Sequence, residues 1–541
     1  YVPIPEEREE ALRRVAFFRD VLEDPKINKI GQNIKYDILM MKWYDVEIKG
    51  SYFDTMIAHY LLEPDLRHKL DFIASATLNY KMVPIEALIG KKGKNQLSMR
   101  DIAVEKVVDY AAEDADITLQ VKSHLEEGLE KEELIDLYYK VEEPLIDVLA
   151  QIEFEGVRID GDFLNKYSKV LEKSIAKQQK KIYEIAGSEF NIASPKQVGE
   201  ILFDKMKIPY RWRKTSSGQY STDVEKLTEL AIDNEIVNEI LTFRKYSKLK
   251  STYVDALPLM INEKTGRVHS NFNQARAATG RLSSENPNLQ NIPIRTPEGR
   301  RVREAFIPKS EEYTLLAADY SQIELRIMAH LSGDEMLVHA FNNNLDVHRA
   351  TAAEIFDLPL EEVADEQRRH AKAVNFGLIY GMSAFGLAKQ INVERKQAQS
   401  YIDQYFERYP GVKNYMESTR EYARDNGFVE SGFGRRLYLP DINAKNHNMR
   451  QYAERTAINA PMQGTAADII KHAMISVDQY LQGQDDTKMI MQVHDELVFE
   501  VEENALVELR ASVDRLMSEA ASLDVPLVVD VGIGENWDEA H

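Results

Sequence analysis

The spacing of apolar and polar residues divides the chain into stretches with different predicted secondary structure. Residues 1–125 alternate short apolar runs, such as INKIGQNI (27–34) and YFDTMIAHYLL (52–62), with helical patterns, which is typical of an α/β domain. From 126 to about 260 the periodicity is mostly helical and highly charged, interrupted by the irregular stretch YRWRKTSSGQYST (210–222). A separate module of long helices is therefore predicted after the α/β region.

The second half of the chain combines predicted strands with helices. TLLAADYS (314–321) has the pattern of a strand that runs directly into the helix IELRIMAHLSG (323–333), and a helical block follows to about residue 450. KMIMQVHDELVFEV (488–501) alternates apolar and polar positions on both sides of a His-Asp pair, which predicts a β-hairpin with the acid near its turn. LDVPLVVDVGIGENW (523–537) predicts one more strand. The pattern as a whole predicts a multidomain protein of the α/β and α+β classes.

Composition narrows the classes of protein and site that are possible. The chain has 541 residues, too many for one core, and a formal net charge of −21, which argues against a protein that coats nucleic acid non-specifically. Residues 294–303 nevertheless carry four arginines against one glutamate, which suggests a polyanion held in a groove. Cysteine is absent, so disulfides and thiolate sites are excluded, and any metal must bind oxygen or histidine. No apolar run approaches the roughly 20 residues of a membrane span.

One predicted helix carries a row of side chains that is basic in its first half and aromatic in its second half. In RRHAKAVNFGLIYG (368–381), Arg368, Lys372, Phe376 and Tyr380 are spaced four apart, so their side chains lie along one face. The first half of the row could hold phosphate oxygens, and the second half offers ring faces to a sugar or base. An amphipathic helix with a solvated basic edge and a packed aromatic edge would show the same spacing. The pattern alone leaves both interpretations open.

Acidic residues end two predicted strands that are far apart in sequence. Asp319 follows the apolar run LLAA, and Asp495 and Glu496 lie at the predicted hairpin tip. Carboxylates from separate segments are what a two-metal site with oxygen ligands requires, with two Mg²⁺ ions about 3.5–4 Å apart. A strand-end aspartate is also a common helix cap. Sequence spacing does not show whether the two segments meet.

Five stretches resemble, in the same order, the polymerase motifs of family A DNA polymerases, in particular the large-fragment part of the bacterial members. They are TGRLSSENPNLQNIP (279–293), DYSQIELRIMAH (319–330), RxxxKxxxFGxxYG (368–381), RxxxNxxxQG (455–464) and QVHDELV (492–498). KLKSTY (248–253) and the ending GENWDEAH (534–541) match as well, so the resemblance covers nearly the whole chain.

The resemblance implies a right-hand polymerase of palm, fingers and thumb, preceded by an RNase H-like 3′→5′ exonuclease domain that lacks its first motif. The implied domains are a truncated exonuclease-like domain (1–125), connecting helices and the start of the palm (126–160), the thumb (161–262), the palm with Asp319 (263–335), the fingers (336–450) and the palm with Asp495 (451–541).

The resemblance also implies roles for individual residues of the polymerase site. Asp319 and Asp495 would hold two Mg²⁺ ions, for which Mn²⁺ can substitute, with the carbonyl of Tyr320 as a further ligand; Glu496 is either a ligand or a supporting acid. Lys372 would also be catalytic, by protonating the pyrophosphate leaving group. The implied dNTP-binding residues are Gln322, Glu324, His348, Arg368, Lys372, Phe376 and Tyr380. The implied contacts with primer-template DNA are Arg281, Gln290, Asn291, Arg295, Arg455, Asn459, Gln463 and His494.

Glu324 resembles the steric gate of the family, where a carboxylate packed under C2′ of the sugar excludes ribose by sterics and favours deoxynucleotides. Without the surrounding motif, this residue would be interpreted as a glutamate on a helix surface.

The N-terminal region departs from the family pattern. GQNIKYD (31–37) and YAAEDAD (110–116) resemble the second and third exonuclease motifs, which makes Asn33, Asp37, Tyr110 and Asp114 vestigial exonuclease residues. The first motif, an Asp-x-Glu, should lie some tens of residues before Asp37 and is not found. We therefore expect no 3′→5′ exonuclease activity, because the domain is either inactive or shortened at its N-terminus. Nothing in the chain resembles the 5′-nuclease domain of the family.

The resemblance implies a DNA-templated DNA polymerase that extends a primer 3′ end with dNTPs by two-metal-ion phosphoryl transfer, in DNA repair and replication. The expected partners are primer-template DNA and dNTPs, without a membrane, for a monomer in the bacterial cytoplasm at the nucleoid. Two alternatives are a catalytically silent DNA-binding relative and a nuclease-only protein. A silent relative should have lost Asp319, Asp495 or Lys372, and all three are present. A nuclease would need the missing first motif.

Overall fold

The computed structural model describes residues 1–541, which divide into two compact units. The first unit comprises residues 1–155, 271–285 and 316–532. The second comprises residues 156–270, 286–315 and 533–541. None of the helices combines the length with the apolar character that crossing a membrane requires.

The first 155 residues are mainly helical, with one short pair of parallel strands, β1 (Lys29–Gly31) and β2 (Tyr52–Asp54). The helices are α1 (Arg8–Ala16), α2 (Arg19–Leu22), α3 (Ile34–Lys42), α4 (Thr55–Leu62), α5 (Leu70–Leu78), α6 (Glu86–Ile89), α7 (Val104–Lys131), α8 (Ile135–Leu137) and α9 (Glu143–Glu155). A 3₁₀ turn covers Met99–Asp101, and a π-helical segment, Tyr138–Glu142, joins α8 to α9.

The apolar run at 52–62 is a strand for only its first three residues. Asp54 ends β2, and its carboxylate accepts hydrogen bonds from the backbone N–H groups of Met56 and Ile57. This N-cap starts α4, and a run that is apolar on every side forms a buried helix there. A short apolar run alone does not distinguish a buried strand from a buried helix.

The second unit is helical, as predicted for the charged region after residue 126. Its helices are α10 (Gly161–Ala186), α11 (Pro195–Gly199), α12 (Val224–Ala231), α13 (Glu235–Leu249) and α14 (Pro297–Arg303), with π-helical segments Glu200–Lys205 and Lys250–Val254 and 3₁₀ turns Leu257–Met260 and Leu289–Asn291. Residues 210–222 form neither helix nor strand, as the polar and glycine-containing sequence predicts. Ile182, Leu202, Leu227 and Ile240 are among the buried residues of one core in this unit.

The remaining elements belong mainly to the first unit. The strands are β3 (Asn271–Asn273), β4 (Ser283–Glu285), β5 (Tyr313–Tyr320), β6 (Phe428–Glu430), β7 (Arg436–Tyr438), β8 (Thr487–Val493), β9 (Glu496–Glu502) and β10 (Val529–Gly534). The helices are α15 (Ile323–Ser332), α16 (Glu335–Asn342), α17 (Val347–Ile355), α18 (Asp365–Ile379), α19 (Ala384–Ile391), α20 (Arg395–Arg408), α21 (Pro410–Asn426), α22 (His447–Leu481), α23 (Leu506–Ser518) and α24 (Trp537–Ala540), with a 3₁₀ turn at Leu360–Glu362.

A four-stranded sheet with the order β10-β5-β9-β8 organises the first unit. The predicted strand before Asp319, the hairpin around Asp495 and the last strand are all present in it. β8 and β9 pair antiparallel, with Val493 opposite Glu496 and an irregularity between Met489 and Met491. The antiparallel pairs β3–β4 and β6–β7 lie outside this sheet.

Helix α22 supplies much of the core on which the sheet packs. It is capped by Asn446, whose side chain accepts hydrogen bonds from two backbone N–H groups of the first turn, and it contains Pro461. Ile458, Met462, Ile469 and Ala473 of α22 join the largest hydrophobic core, which also includes buried residues of β5, α15 and β9. This core fixes the strand ends that carry Asp319 and Asp495.

Candidate active site

Asp319 and Asp495 lie where the end of β5 meets the turn of the β8–β9 hairpin. Asp319 is the penultimate residue of β5, and Asp495 lies in the turn between β8 and β9. The backbone N–H of Tyr320 donates a hydrogen bond to the carbonyl of Asp495 at 3.3 Å, and the Tyr320 hydroxyl donates to the carbonyl of Met517 at 2.7 Å. The fold thus brings together the two acidic segments that sequence spacing could not connect.

The turn that carries Asp495 has a strained backbone conformation. His494 has a φ of 57°, in the left-handed region, and the side-chain amide of Gln492 donates to its carbonyl at 2.5 Å. His494 is exposed and Asp495 half-buried, whereas Glu496 is buried at the start of β9. The turn therefore leaves Asp495 partly accessible and buries Glu496, the acid that follows it.

The surroundings of Asp495 fit a bound cation. Burial raises the pKa of the Asp495 carboxyl, the charge of Glu324 raises it further, and Arg281 acts in the opposite direction. A cation would offset this concentration of negative charge. The carboxylates of Asp319 and Asp495 and the carbonyl of Tyr320 are hard oxygen donors of the kind that Mg²⁺ and Mn²⁺ prefer. The residues present therefore fit a divalent cation.

Glu324 is held by two residues from other segments. It lies in the first turn of α15. This helix begins directly after Gln322, whose φ of 55° makes the sharp turn out of β5. One carboxylate oxygen accepts a hydrogen bond from the guanidinium of Arg281 at 2.7 Å, and the other accepts from the hydroxyl of Tyr380. Burial and the hydrogen bond to Glu324 raise the pKa of Tyr380. The residue predicted as the steric gate thus contacts residues from two of the other motifs.

The predicted row of four side chains is present on and directly after α18. Arg368 donates to the carboxylate of Asp346 at 2.7 Å, and Lys372 is exposed, with its Nζ 6.0 Å from the ring centre of Phe376. Phe376 and Tyr380 are half-buried against the main core. The helix therefore has both a basic exposed part and a packed aromatic part, as either interpretation of the row requires.

His348, at the start of α17, is buried behind this row. Only 2% of the residue is exposed, its ring lies 5.7 Å from that of Phe376, and its Nδ1 lies 2.9 Å from Nδ2 of Asn375. The Nε2 of His348 and the Oδ1 of Asn375 have no hydrogen-bond partner. Burial lowers the pKa of His348 to about 4, and Lys372 also lowers it. The imidazole is therefore neutral at physiological pH.

We expect His348 to make the protein's stability depend on pH. The unfolded chain protonates this residue near pH 6.5 and the folded chain only near pH 4, so the stability that the neutral ring contributes is present above pH 6.5 and lost as the pH falls towards 4. At pH 5 the loss amounts to about 2 kcal/mol. Thermal melts at pH 7.5, 6 and 5 should show a smaller decrease in Tm for His348→Gln than for the wild type. The assignment would be contradicted if the Tm of His348→Gln fell with pH as much as that of the wild type. It would also be contradicted if His447→Gln, a substitution at an exposed histidine, reduced the fall in Tm as much as His348→Gln does.

The residues predicted to contact DNA fall in both units. Arg455, Asn459 and Gln463 follow each other at four-residue spacing on α22, and a side chain at Gly381 would approach the Cγ of Arg455 to 3.3 Å. These residues, like Arg281 and His494, belong to the first unit, whereas Gln290, Asn291 and Arg295 belong to the second. In the second unit, the carbonyl of Asn291 accepts a hydrogen bond from the Tyr253 hydroxyl at 2.7 Å.

Three of the four predicted exonuclease residues line one cavity of about 660 Å³: Asp37, Tyr110 and Asp114. Burial and the neighbouring Asp54 raise the pKa of Asp37 to about 6. Asn33 does not line the cavity. It has a φ of 57° and donates its backbone N–H to Asp54 at 3.1 Å, so it shapes the start of α3.

Sequence patterns did not identify three residues that support these sites. Asn375 contacts His348, Asp346 pairs with Arg368, and Asp54 caps both α3 and α4. Asp346 precedes the apolar periodicity of α17 and accepts from the backbone N–H of Arg349, so N-cap rules could have identified it as a cap. Its pairing with Arg368 depends on the tertiary structure.

Known proteins are similar to this chain over nearly its whole length. DNA polymerase I of Pseudomonas aeruginosa is 53% identical over 549 residues, covering 100% of this chain and 60% of that protein. DNA polymerase I of Rhizobium leguminosarum is 44% identical over 530 residues, covering 96% of this chain and 52% of that protein. The chain thus spans 52% to 60% of the length of these two relatives.

A solved structure is similar in fold as well as in sequence. The polymerase domain of Pol1 from M. smegmatis, in complex with DNA primer-template and dNTP, matches with a TM-score of 0.88 and 38% identity, covering 97% of this chain and 89% of that chain. A model of the 3′-5′ exonuclease family matches residues 1–130. Since the model of DNA polymerase family A matches residues 161–539, the chain belongs to DNA polymerase family A.

Proposed function

We propose that the protein is a DNA-templated DNA polymerase that extends the 3′ end of a primer with dNTPs. The observation that carries the proposal is the meeting of Asp319 and Asp495 at neighbouring strand ends, beside Glu324 and its partner Tyr380. These residues come from three separate motifs, at 319–330, 368–381 and 492–498. Membership of family A and the similarity to a polymerase domain solved with primer-template and dNTP support the same function.

Two divalent cations, Mg²⁺ or in its place Mn²⁺, would be held by Asp319, Asp495 and the carbonyl of Tyr320. When bound, they would supply Lewis-acid stabilisation of the attacking and leaving oxygens. Glu496 is buried and would act as a supporting acid. The protein's own contribution is to hold the two carboxylates at fixed positions through the contact between β5 and the β8–β9 turn.

The dNTP would lie along the row on α18. Arg368 and Lys372 would bind the triphosphate and neutralise charge that develops on the pyrophosphate, to which Lys372 would also donate a proton. Phe376 and Tyr380 would contact the sugar and base. In this structure the guanidinium of Arg368 donates a hydrogen bond to the carboxylate of Asp346, and a triphosphate would compete with that carboxylate.

Gln322 and His348 would support the nucleotide from beside the row. Gln322 has a buried side-chain Oε1 with no hydrogen-bond partner, which a ligand could satisfy. The neutral His348 packs against Phe376 and would fix the position of that ring.

Primer-template DNA would be contacted at its backbone and minor groove, where a copying enzyme detects base-pair shape without reading sequence. The proposed contacts are Arg281, Gln290, Asn291, Arg295, Arg455, Asn459, Gln463 and His494. We propose 161–262 as the thumb, 263–335 and 451–541 as the palm and 336–450 as the fingers; residues 156–270 belong to the second compact unit together with 286–315 and 533–541. We further propose that the protein acts as a monomer in DNA repair and replication in the bacterial cytoplasm.

Sugar selection tests this function at a single residue. Glu324→Ala removes the carboxylate that would clash with a ribose hydroxyl, so discrimination against ribonucleotides should fall by about 10- to 100-fold while dNTP incorporation continues. Single-turnover incorporation of matched dNTP and rNTP measures the ratio. Glu335→Ala, in the first turn of the next helix, is the matched control and should leave the ratio unchanged. An unchanged ratio in Glu324→Ala would contradict the gate.

The exonuclease-like region should not digest DNA in this chain. Asp37 and Asp114 line one cavity, but residues 1–36 contain no Asp-x-Glu to complete the acidic set. We expect little or no shortening of 5′-labelled single-stranded DNA with Mg²⁺ or Mn²⁺. Rapid digestion that Asp37→Asn abolishes would show that the remaining metal ligands come from another part of the chain.

A further inference from the structure

A short turn presents Arg281 to Glu324. In the turn at residues 277–281, the N–H of Gly280 donates to the carbonyl of Ala277 at 3.0 Å, and Gly280 has a φ of 84°. The next residue, Arg281, donates to Glu324 at 2.7 Å. Whatever fixes this turn therefore fixes the position of Arg281.

The N-terminal region contacts this turn directly. Tyr60 lies on α4, within the residues that match the exonuclease family, and only 1% of it is exposed. Its hydroxyl donates a hydrogen bond to the carbonyl of Ala277 at 2.7 Å. The hydrophobic core of the N-terminal region, to which Tyr60 belongs, also packs against Ala275, just before the turn.

A buried charge network lies against the turn at Gly280. The guanidinium of Arg435 donates to Glu142 at 2.5 Å and to Asp468 at 2.6 Å, and Lys471 donates to Glu142 at 2.6 Å. Two cations and two anions thus neutralise each other in an almost fully buried site. Gly280 lies so close that a Cβ there would come within 2.5 Å of the Arg435 Nε.

The same network reaches the segment that leads into the turn. The side-chain amide of Gln274 donates to the carboxylate of Glu142 at 2.8 Å and to its backbone carbonyl at 3.0 Å. Glu142 lies between the residues that match the exonuclease model and those that match the polymerase model. Two residues that precede the matched polymerase region therefore hold the start of the turn, Tyr60 at Ala277 and Glu142 at Gln274.

We propose that the N-terminal region positions the polymerase site by holding the turn at 277–281, with Tyr60 as the positioning residue and Arg281 as the residue that it positions. The inference rests on the proposed function. It gives the exonuclease-like region a role in nucleotide addition that does not need nuclease activity. Tyr60 touches no proposed substrate and acts only through Arg281.

A double-mutant cycle tests this role. Tyr60→Phe removes one hydroxyl and keeps the packing, and it should lower the single-turnover rate of dNTP incorporation about 3- to 10-fold, the effect of one lost hydrogen bond. In an Arg281→Ala background the same substitution should have no further effect. Gly280→Ala, which would displace Arg435, should reproduce this pattern.

Tyr138→Phe is the matched control. Tyr138 is equally buried in the N-terminal core, and its hydroxyl accepts a hydrogen bond from the backbone N–H of Asp54 at 2.6 Å, not from a residue of the turn. Its loss should destabilise the protein comparably without slowing incorporation. Amide hydrogen exchange provides a readout independent of activity: Tyr60→Phe should accelerate exchange at residues 277–281, and Tyr138→Phe should not.

The inference is overturned if Tyr60→Phe leaves the rate of incorporation unchanged or has the same effect on it as Tyr138→Phe. It is also overturned if Tyr60→Phe lowers this rate by the same factor in the wild-type and Arg281→Ala backgrounds. It is also overturned if exchange at the turn is unaffected. If the wild type adds no nucleotide, the proposed function fails, and hydrogen exchange alone decides whether Tyr60 holds the turn.

Discussion

Replacing Asp319 or Asp495 with asparagine is expected to abolish nucleotide addition while leaving the protein folded and able to bind primer-template DNA. Each change keeps the shape of the side chain and removes the charge that a divalent cation requires. We expect a loss of at least about 10³-fold, because metal-ion stabilisation of transition-state charge supplies several kcal/mol. Since burial and the Glu324 charge disfavour the ionised form of Asp495, Asp495→Asn should not lower the Tm.

Single-turnover extension, gel shift and thermal melts on the same preparations measure these three properties. Asp485→Asn is the control, because it makes the same chemical change at a fully exposed acid just before β8 of the same hairpin. Near-normal extension by Asp319→Asn or Asp495→Asn would rule out the assignment of these residues as metal ligands. Loss of DNA binding together with activity would place them in the DNA groove instead.

Lys372→Ala is expected to lower incorporation of all four dNTPs equally, by about 10²- to 10³-fold. Every dNTP carries the same triphosphate, and a cation aimed at the leaving group acts most strongly in the transition state. Lys372 is exposed on α18, so its removal should leave the Tm nearly unchanged.

Phe376→Tyr, one turn further along α18, provides the contrast. It adds a hydroxyl near the sugar, so ordinary incorporation should stay nearly intact while dideoxynucleotides are accepted more readily. Rates for each dNTP and ddNTP in both variants separate the two halves of the row. A loss for only some bases in Lys372→Ala, or a uniform loss in Phe376→Tyr, would contradict this division.

The sequence predicted the fold best where the local order of apolar and polar residues itself determines the strand or turn. The apolar run before Asp319 leads directly into a helical pattern, and the His-Asp pair interrupts an alternating pattern at the hairpin turn. The strand β5 and the β8–β9 hairpin were therefore predicted correctly. The apolar run at 52–62 forms a strand for three residues and then a helix, and the sequence did not distinguish the two because an apolar run without alternation fits a buried helix as well as a strand. The short pair β6–β7 lies inside a region predicted as helical, where three-residue strands leave almost no periodic signal.

The site itself depends on contacts that local pattern does not contain. Family motifs indicated Asp319, Glu324 and Asp495, but not that Tyr320 would join β5 to the β8–β9 turn. Nor did they indicate that His348 would be buried and neutral, since this depends on Phe376 and Asn375 from another helix. The contact of Tyr60 with the turn before Arg281 joins residues 217 positions apart and has no sequence signature.

Template-directed addition of single nucleotides tests the central claim most directly. Four primer-templates that differ only in the first unpaired template base are each incubated with one dNTP at a time and Mg²⁺. The wild-type protein should add only the complementary nucleotide on each template, and Asp319→Asn should add none. Addition that ignores the template base, no addition by the wild type, or equal addition by Asp319→Asn would contradict a DNA-templated polymerase that acts through this site.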